Sequence, residues 1–172
     1  MRAMTTHVAL LRAVNLGPTN RIAMADLRAL LEGLGYGDVR TLQVAGNAVF
    51  TAPARSAATV ERAVEKALAN DLRLPVKVLA RSASDLGKVV AGNPFTGDKG
   101  LHAVFLSGQP KADLDPAEYA PAEFAFGDRV VYLRLPHGIA GSRLPSWEKV
   151  LGVTATARNW NTVTKLHALA KG

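Results

Sequence analysis

Two groups of polar residues in this 172-residue chain are of types that hold ligands. In the first, Arg12, Asn15, Asn20 and Arg21 surround one turn cluster, and Gln43, Gly46 and Asn47 surround another. Arginine presents a planar, charged fork of N–H donors that fits a carboxylate or phosphate at two points. The amides add neutral donors and acceptors, and a glycine lets a backbone N–H approach closely. Together they point to anion binding through arginines and backbone amides. The plainer alternative is that Asn15 and Asn47 satisfy their own turns while Arg21 is solvated. The second group is the string Arg158-Asn159-Trp160-Asn161-Thr162. Its polar side chains can cap a helix, Arg158 adds charge there, and Trp160 offers a flat face for a ring or base. A tryptophan before a helix is more often a core anchor, which would make the string a structural clasp.

Catalytic signatures are missing. His7, His102, His137 and His167 are scattered without ligand spacing, so each reads as a surface or a satisfied core histidine. The absence of cysteine removes disulfides, thiolate sites and cysteine nucleophiles, and fits a reducing cytoplasm. There is no nucleophile elbow, no Walker loop and no dinucleotide fingerprint after a strand. Gly33-Leu34-Gly35-Tyr36-Gly37 follows a helical pattern and reads as a helix C-terminus rather than a phosphate cradle. The acids between Asp113 and Glu123 read as a solvated face rather than an acid/base pair. No catalytic residue, metal or cofactor is expected.

For the first group to act together, two loops must meet at one sheet edge. Residues 7–14 form an apolar run that ends in Asn15-Leu16-Gly17-Pro18, a strand running into a loop. Met24, Leu27, Leu30, Leu31 and Leu34 then recur at helical spacing. Residues 39–44 and 48–51 read as strands joined through Ala45-Gly46-Asn47. A helix with Val60, Val64, Ala67 and Leu68, then a strand over 76–80, completes a β-α-β-β-α-β order. In that unit the ends of strands one and two share an edge with the start of strand three, and the first loop feeds a helix N-terminus.

The rest of the chain repeats the scheme. Ser82-Ala83-Ser84-Asp85 opens a helix that Gly92-Asn93-Pro94 ends. Strands over 101–106, 123–126, 129–135 and 153–157 alternate with short helices over 115–120 and 145–151, and a helix over 162–170 closes the chain. The expected class is α+β: two ferredoxin-like β-α-β-β-α-β halves with mainly antiparallel sheets, plus a C-terminal helix. The expected subdomains are 1–81 and 82–172.

Composition suits a globular chain, with 48% hydrophobic and 20% charged residues. No stretch approaches the ~18 apolar residues of a membrane helix. The run over 8–14 is broken by Arg12 and lacks a cleavage site, so it does not read as a signal peptide. A soluble cytoplasmic protein without a membrane partner is expected. The net charge is +7, unevenly spread: residues 129–172 carry seven bases against Glu148 alone. Residues 98–128 carry two bases against six acids, including Asp98. Residues 1–23 have Arg2, Arg12 and Arg21 and no acid. Such a chain can attract polyanions, but ferredoxin-like RNA binders stack bases on strands one and three, where this one has only Phe50. Nucleic-acid binding is therefore expected to be weak, nonspecific and steeply salt-dependent. A fluorescence titration across salt concentrations checks this, and tight binding that barely changes with salt would refute it.

Leu10-Leu11-Arg12-Ala13-Val14-Asn15-Leu16-Gly17, then Asn20, Met24 and Leu27-Arg28, resemble the opening of the bacterial domain-of-unknown-function 1697 family. Gly46-Asn47-Ala48-Val49-Phe50, Asn93-Pro94-Phe95 and Thr156-Ala157-Arg158-Asn159-Trp160-Asn161-Thr162 are similar to its other landmarks. The resemblance implies a soluble α+β protein of two related subdomains with no assigned reaction and no catalytic residue to transfer. It also marks departures: the family commonly has glycine at Ala13 and a serine-containing pair at Val44-Ala45. Without that hydroxyl, binding through backbone amides and arginines is favoured over nucleophilic chemistry.

The leading expectation is a binding protein for a phosphate- or carboxylate-bearing small molecule. The alternatives are a weak nonspecific nucleic-acid binder, a small enzyme of unrecognised chemistry, and a homodimeric interaction module. Monomer and homodimer both fit the sequence.

Overall fold

The apolar run near the start of the chain forms strand β1 (Thr5–Leu11), buried from His7 onward. A computed structural model describes residues 3–53, 56–97 and 99–172; Arg2 and Asp98 of the charge balance lie outside the described residues. Helix α1 (Met24–Gly33) buries Leu27, Leu30 and Leu31, the i, i+3, i+4 stripe of an amphipathic helix. It ends where Gly35 turns left-handed at φ 86°. Strands β2 (Gly37–Leu42) and β3 (Asn47–Ala52) form a hairpin in which Leu42 pairs with Asn47. Helix α2 (Ala57–Leu72) follows, its Thr59 N–H donating to the Ser56 hydroxyl at 3.4 Å, and leads to β4 (Val78–Ser82). The sheet order is β2-β3-β1-β4, antiparallel throughout. Phe50 is fully buried and stacks on Tyr36 at 4.9 Å, so the strand-three aromatic is core and offers no platform for a base.

Helix α3 (Ala83–Ala91) starts on the expected cap, the Asp85 N–H donating to the Ser82 hydroxyl at 3.1 Å. The second sheet contains β5 (Leu101–Leu106), β6 (Glu123–Gly127), β7 (Val130–Arg134) and β8 (Ala155–Asn159), ordered β6-β7-β5-β8 and again antiparallel. This matches the first sheet strand for strand, so both halves are ferredoxin-like. The second has shorter connections. Its first crossover holds only a 3-10 turn, Pro116–Tyr119, because Pro121 bars a helical conformation at the residue before it. Its second holds α4 (Trp147–Leu151), five residues long and stopped by Gly152 at φ 71°. Strand β8 runs on to Asn159 and helix α5 (Trp160–Lys171) begins at the next residue, because Asn159 Oδ1 accepts from the Thr162 N–H at 2.8 Å and caps it.

The chain packs as two compact units, Met1–Gly87 with Lys165–Gly172, and Lys88–Thr164. The first has a core around Leu11, Leu27, Leu31, Phe50, Val64 and Leu68. The second has one around Leu106, Phe124, Leu133 and Leu151, with Trp147 against Phe124 at 5.3 Å. No helix among the described residues is long and apolar enough to cross a membrane.

Candidate functional site

The exit of β1 and the β2–β3 turn meet at one sheet edge. Leu10 pairs with Asn47, and the Leu11 N–H donates to the Gly46 carbonyl at 2.9 Å. Asn15 stitches the loops together. Its Nδ2 donates to the Ile22 carbonyl at 2.9 Å and the Val44 carbonyl at 2.6 Å, while its Oδ1 accepts from the Ile22 N–H at 2.9 Å. Its own N–H donates to the Asn20 carbonyl at 3.0 Å. Arg21 is exposed and anchored to its loop by Nη1 on the Gly17 carbonyl at 3.2 Å.

Between these parts lies a cavity of about 400 Å³ lined by Asn15, Arg21, Ile22, Ala23, Met24 and Val44. Its floor is the start of α1, where the cap residue Ala23 makes no side-chain hydrogen bond. Free amides and the positive end of the helix dipole therefore face a space with an arginine at its wall. The exposed Asp26 carboxylate in the first turn already offsets part of that field.

The other residues of the first group do not line the cavity. Asn47 is fully buried and its Nδ2 donates inward to the Leu42 carbonyl at 3.0 Å, fixing the hairpin. Arg12 is half-buried, with its N–H on the Lys77 carbonyl at 2.9 Å. Asn20 and Gln43 are exposed, and Gly46 is buried under the turn. The loops are conformationally costly: Ala13, Asn15, Asn20, Gln43 and Gly46 all have φ between 53° and 82°. Ala13, at 56°, stands where glycine would be unstrained. Ala13→Gly should therefore raise stability by about 1 kcal/mol, read from urea midpoints at constant slope.

The second string divides by role. Arg158 is buried on β8, with Nη1 donating to Thr156 Oγ1 at 2.7 Å and the Ala157 carbonyl at 2.9 Å. Burial pushes its guanidinium down to about 10, still charged at neutral pH. Asn159 is the helix cap. Trp160 is half-buried, its ring edge-on to Tyr132 at 6.2 Å. Tyr132 is fixed by its hydroxyl, which donates to the Val89 carbonyl at 2.7 Å. Burial, helped by the Asp128 carboxylate, raises its pKa and keeps that donor protonated. Asn159, Trp160 and Asn161 line a second cavity, of about 560 Å³, together with His102. His102 was expected to be a surface or satisfied histidine, yet its Nδ1 is buried with no hydrogen-bond partner among the described residues. The signal that reveals it is strand register, since His102 pairs with Asn159.

The family model described as "Protein of unknown function (DUF1697)" matches residues 4–132. The chain belongs to the DUF1697 family. In this DUF1697 protein the matched range contains the whole Asn15–Arg21 cavity and stops short of the Arg158–Thr162 string. Among solved structures, the conserved bacterial protein SP0830 from Streptococcus pneumoniae is similar over 98% of this chain and 99% of its own, with a TM-score of 0.74 and 22% identity. At that identity the likeness speaks for the fold. No curated protein matches the sequence.

Proposed function

We propose that this DUF1697 protein binds a small molecule through a phosphate or carboxylate group seated at the start of α1. The observation that carries the reading is the cavity over the uncapped first turn of α1, walled by Arg21 and Asn15. An anion there would take helix amides, the favourable end of the dipole and a charge-assisted contact from Arg21. Asn15 positions the seat by tying both of its loops together. The cluster of left-handed residues fits the same reading, because strain of this kind gathers where a backbone is held for binding.

Thermal melts with a panel of phosphorylated and carboxylated metabolites test it. At least one compound should stabilise the wild type in proportion to its occupancy. Arg21→Ala should abolish that stabilisation while melting almost normally alone, because an exposed arginine adds little to stability. No stabilisation by any compound, or equal stabilisation of the variant, defeats the proposal. Removing the competing carboxylate with Asp26→Asn should tighten binding about two- to fivefold, the scale of one charge at a helix end.

A further inference from the structure

We infer that the second cavity is a separate recognition site for a nucleobase, a planar heterocycle with hydrogen-bonding edges. Three features of its lining set that chemistry. The first is charge: among the described residues no Lys, Arg, Asp or Glu lines the cavity. One amide of the helix end beside it is already met, since Asn159 Oδ1 caps the Thr162 N–H.

The second is shape. Trp160 supplies the widest aromatic face among the described lining residues, and its ring lies at 66° to that of Tyr132, with centroids 6.2 Å apart. A half-buried indole lining a cavity can offer its face for stacking, and a flat π-system is its natural partner. Gly97 and Gly100 add no side-chain bulk, and about 560 Å³ lies within the range of small-molecule sites.

The third is hydrogen bonding. The cap leaves Asn159 Nδ2 to donate, and Asn161, exposed on the first turn of α5, presents a carboxamide with both donor and acceptor. His102 lines the same cavity and sits across the β5–β8 ladder from Asn159. Carboxamides beside a tryptophan face form a donor–acceptor pattern that can read base edges. A purely apolar ring would leave these groups unmet, and an anion would meet no lysine or arginine among the described lining residues. This inference does not depend on the anion seat at α1.

The test uses Trp160 as its reporter, in a Trp147→Phe background that keeps an aromatic ring against Phe124. Adenosine, guanosine, cytidine and uridine are titrated separately, followed by short single-stranded oligonucleotides of the preferred base. Saturable quenching by at least one nucleoside is expected. Asn161→Ala, at an exposed position, should weaken it about tenfold, as should Trp160→Leu followed by calorimetry. Quenching by oligonucleotides alone, with the same dependence on Asn161, supports the site and assigns the base to a polymer. No saturable quenching by either ligand overturns the inference, and so does binding that Asn161→Ala and Trp160→Leu leave unchanged.

Discussion

Gly46→Ala should destabilise the protein by about 3 kcal/mol or more, with a lower denaturant midpoint. Gly46 has φ 82°, where a side chain is strained whatever the space around it. Space is also lacking: an added Cβ would lie 2.7 Å from Val14 Cγ2 and 2.8 Å from Leu11 Cβ. Both neighbours are core residues, 2% and 0% exposed, so neither can swing into solvent. The turn that places Val44 at the cavity must then shift, and the Leu11–Gly46 hydrogen bond with it. Gly17→Ala is the control, because a Cβ there meets nothing within 4 Å. It should leave the midpoint almost unchanged.

Asn15→Ala should cost about 2–4 kcal/mol, because three side-chain hydrogen bonds vanish at once and alanine must adopt the left-handed backbone. The loss should exceed that of Asn20→Ala, whose exposed side chain has no comparable clasp. Asn15→Asp is the sharper variant. A carboxylate keeps the acceptor for the Ile22 N–H but turns an oxygen toward the Ile22 and Val44 carbonyls, replacing two attractions with repulsion. It should be no more stable than the alanine variant, and both should lose ligand-dependent stabilisation because the cavity wall opens. Paired melts with and without the best ligand separate the two effects. A fully stable Asn15→Ala protein would refute the clasp.

The fold was legible because its elements are written in local patterns. Leu27, Leu30 and Leu31 mark α1, the Ser82–Asp85 cap marks α3, and glycine-bounded apolar runs mark the strands. The order of those elements then points to a ferredoxin-like sheet. The site was legible only in part, for reasons of side-chain direction. Asn15 and Asn47 look equivalent in sequence, but pairing with Leu10 and Leu42 turns Asn47 into the core while Asn15 bridges the loops. Gln43 gives no hint of its positive φ, and Ala13 gives one only through the glycine that the family commonly has there. His102 could not be joined to Asn159 without knowing the register of two strands more than fifty positions apart. The helix expected over 115–120 is only a 3-10 turn, Pro116–Tyr119, and the closing helix expected from 162 starts at Trp160 because Asn159 caps it.

Amide chemical shifts during a titration with inorganic phosphate test most directly whether α1 opens on an anion seat. Saturable shifts centred on the amides of Ala23, Met24 and Ala25 are expected, weakened at least tenfold by Arg21→Ala. Shifts that stay linear with concentration, or that spread over the basic residues 129–172 and leave the start of α1 unmoved, would contradict it.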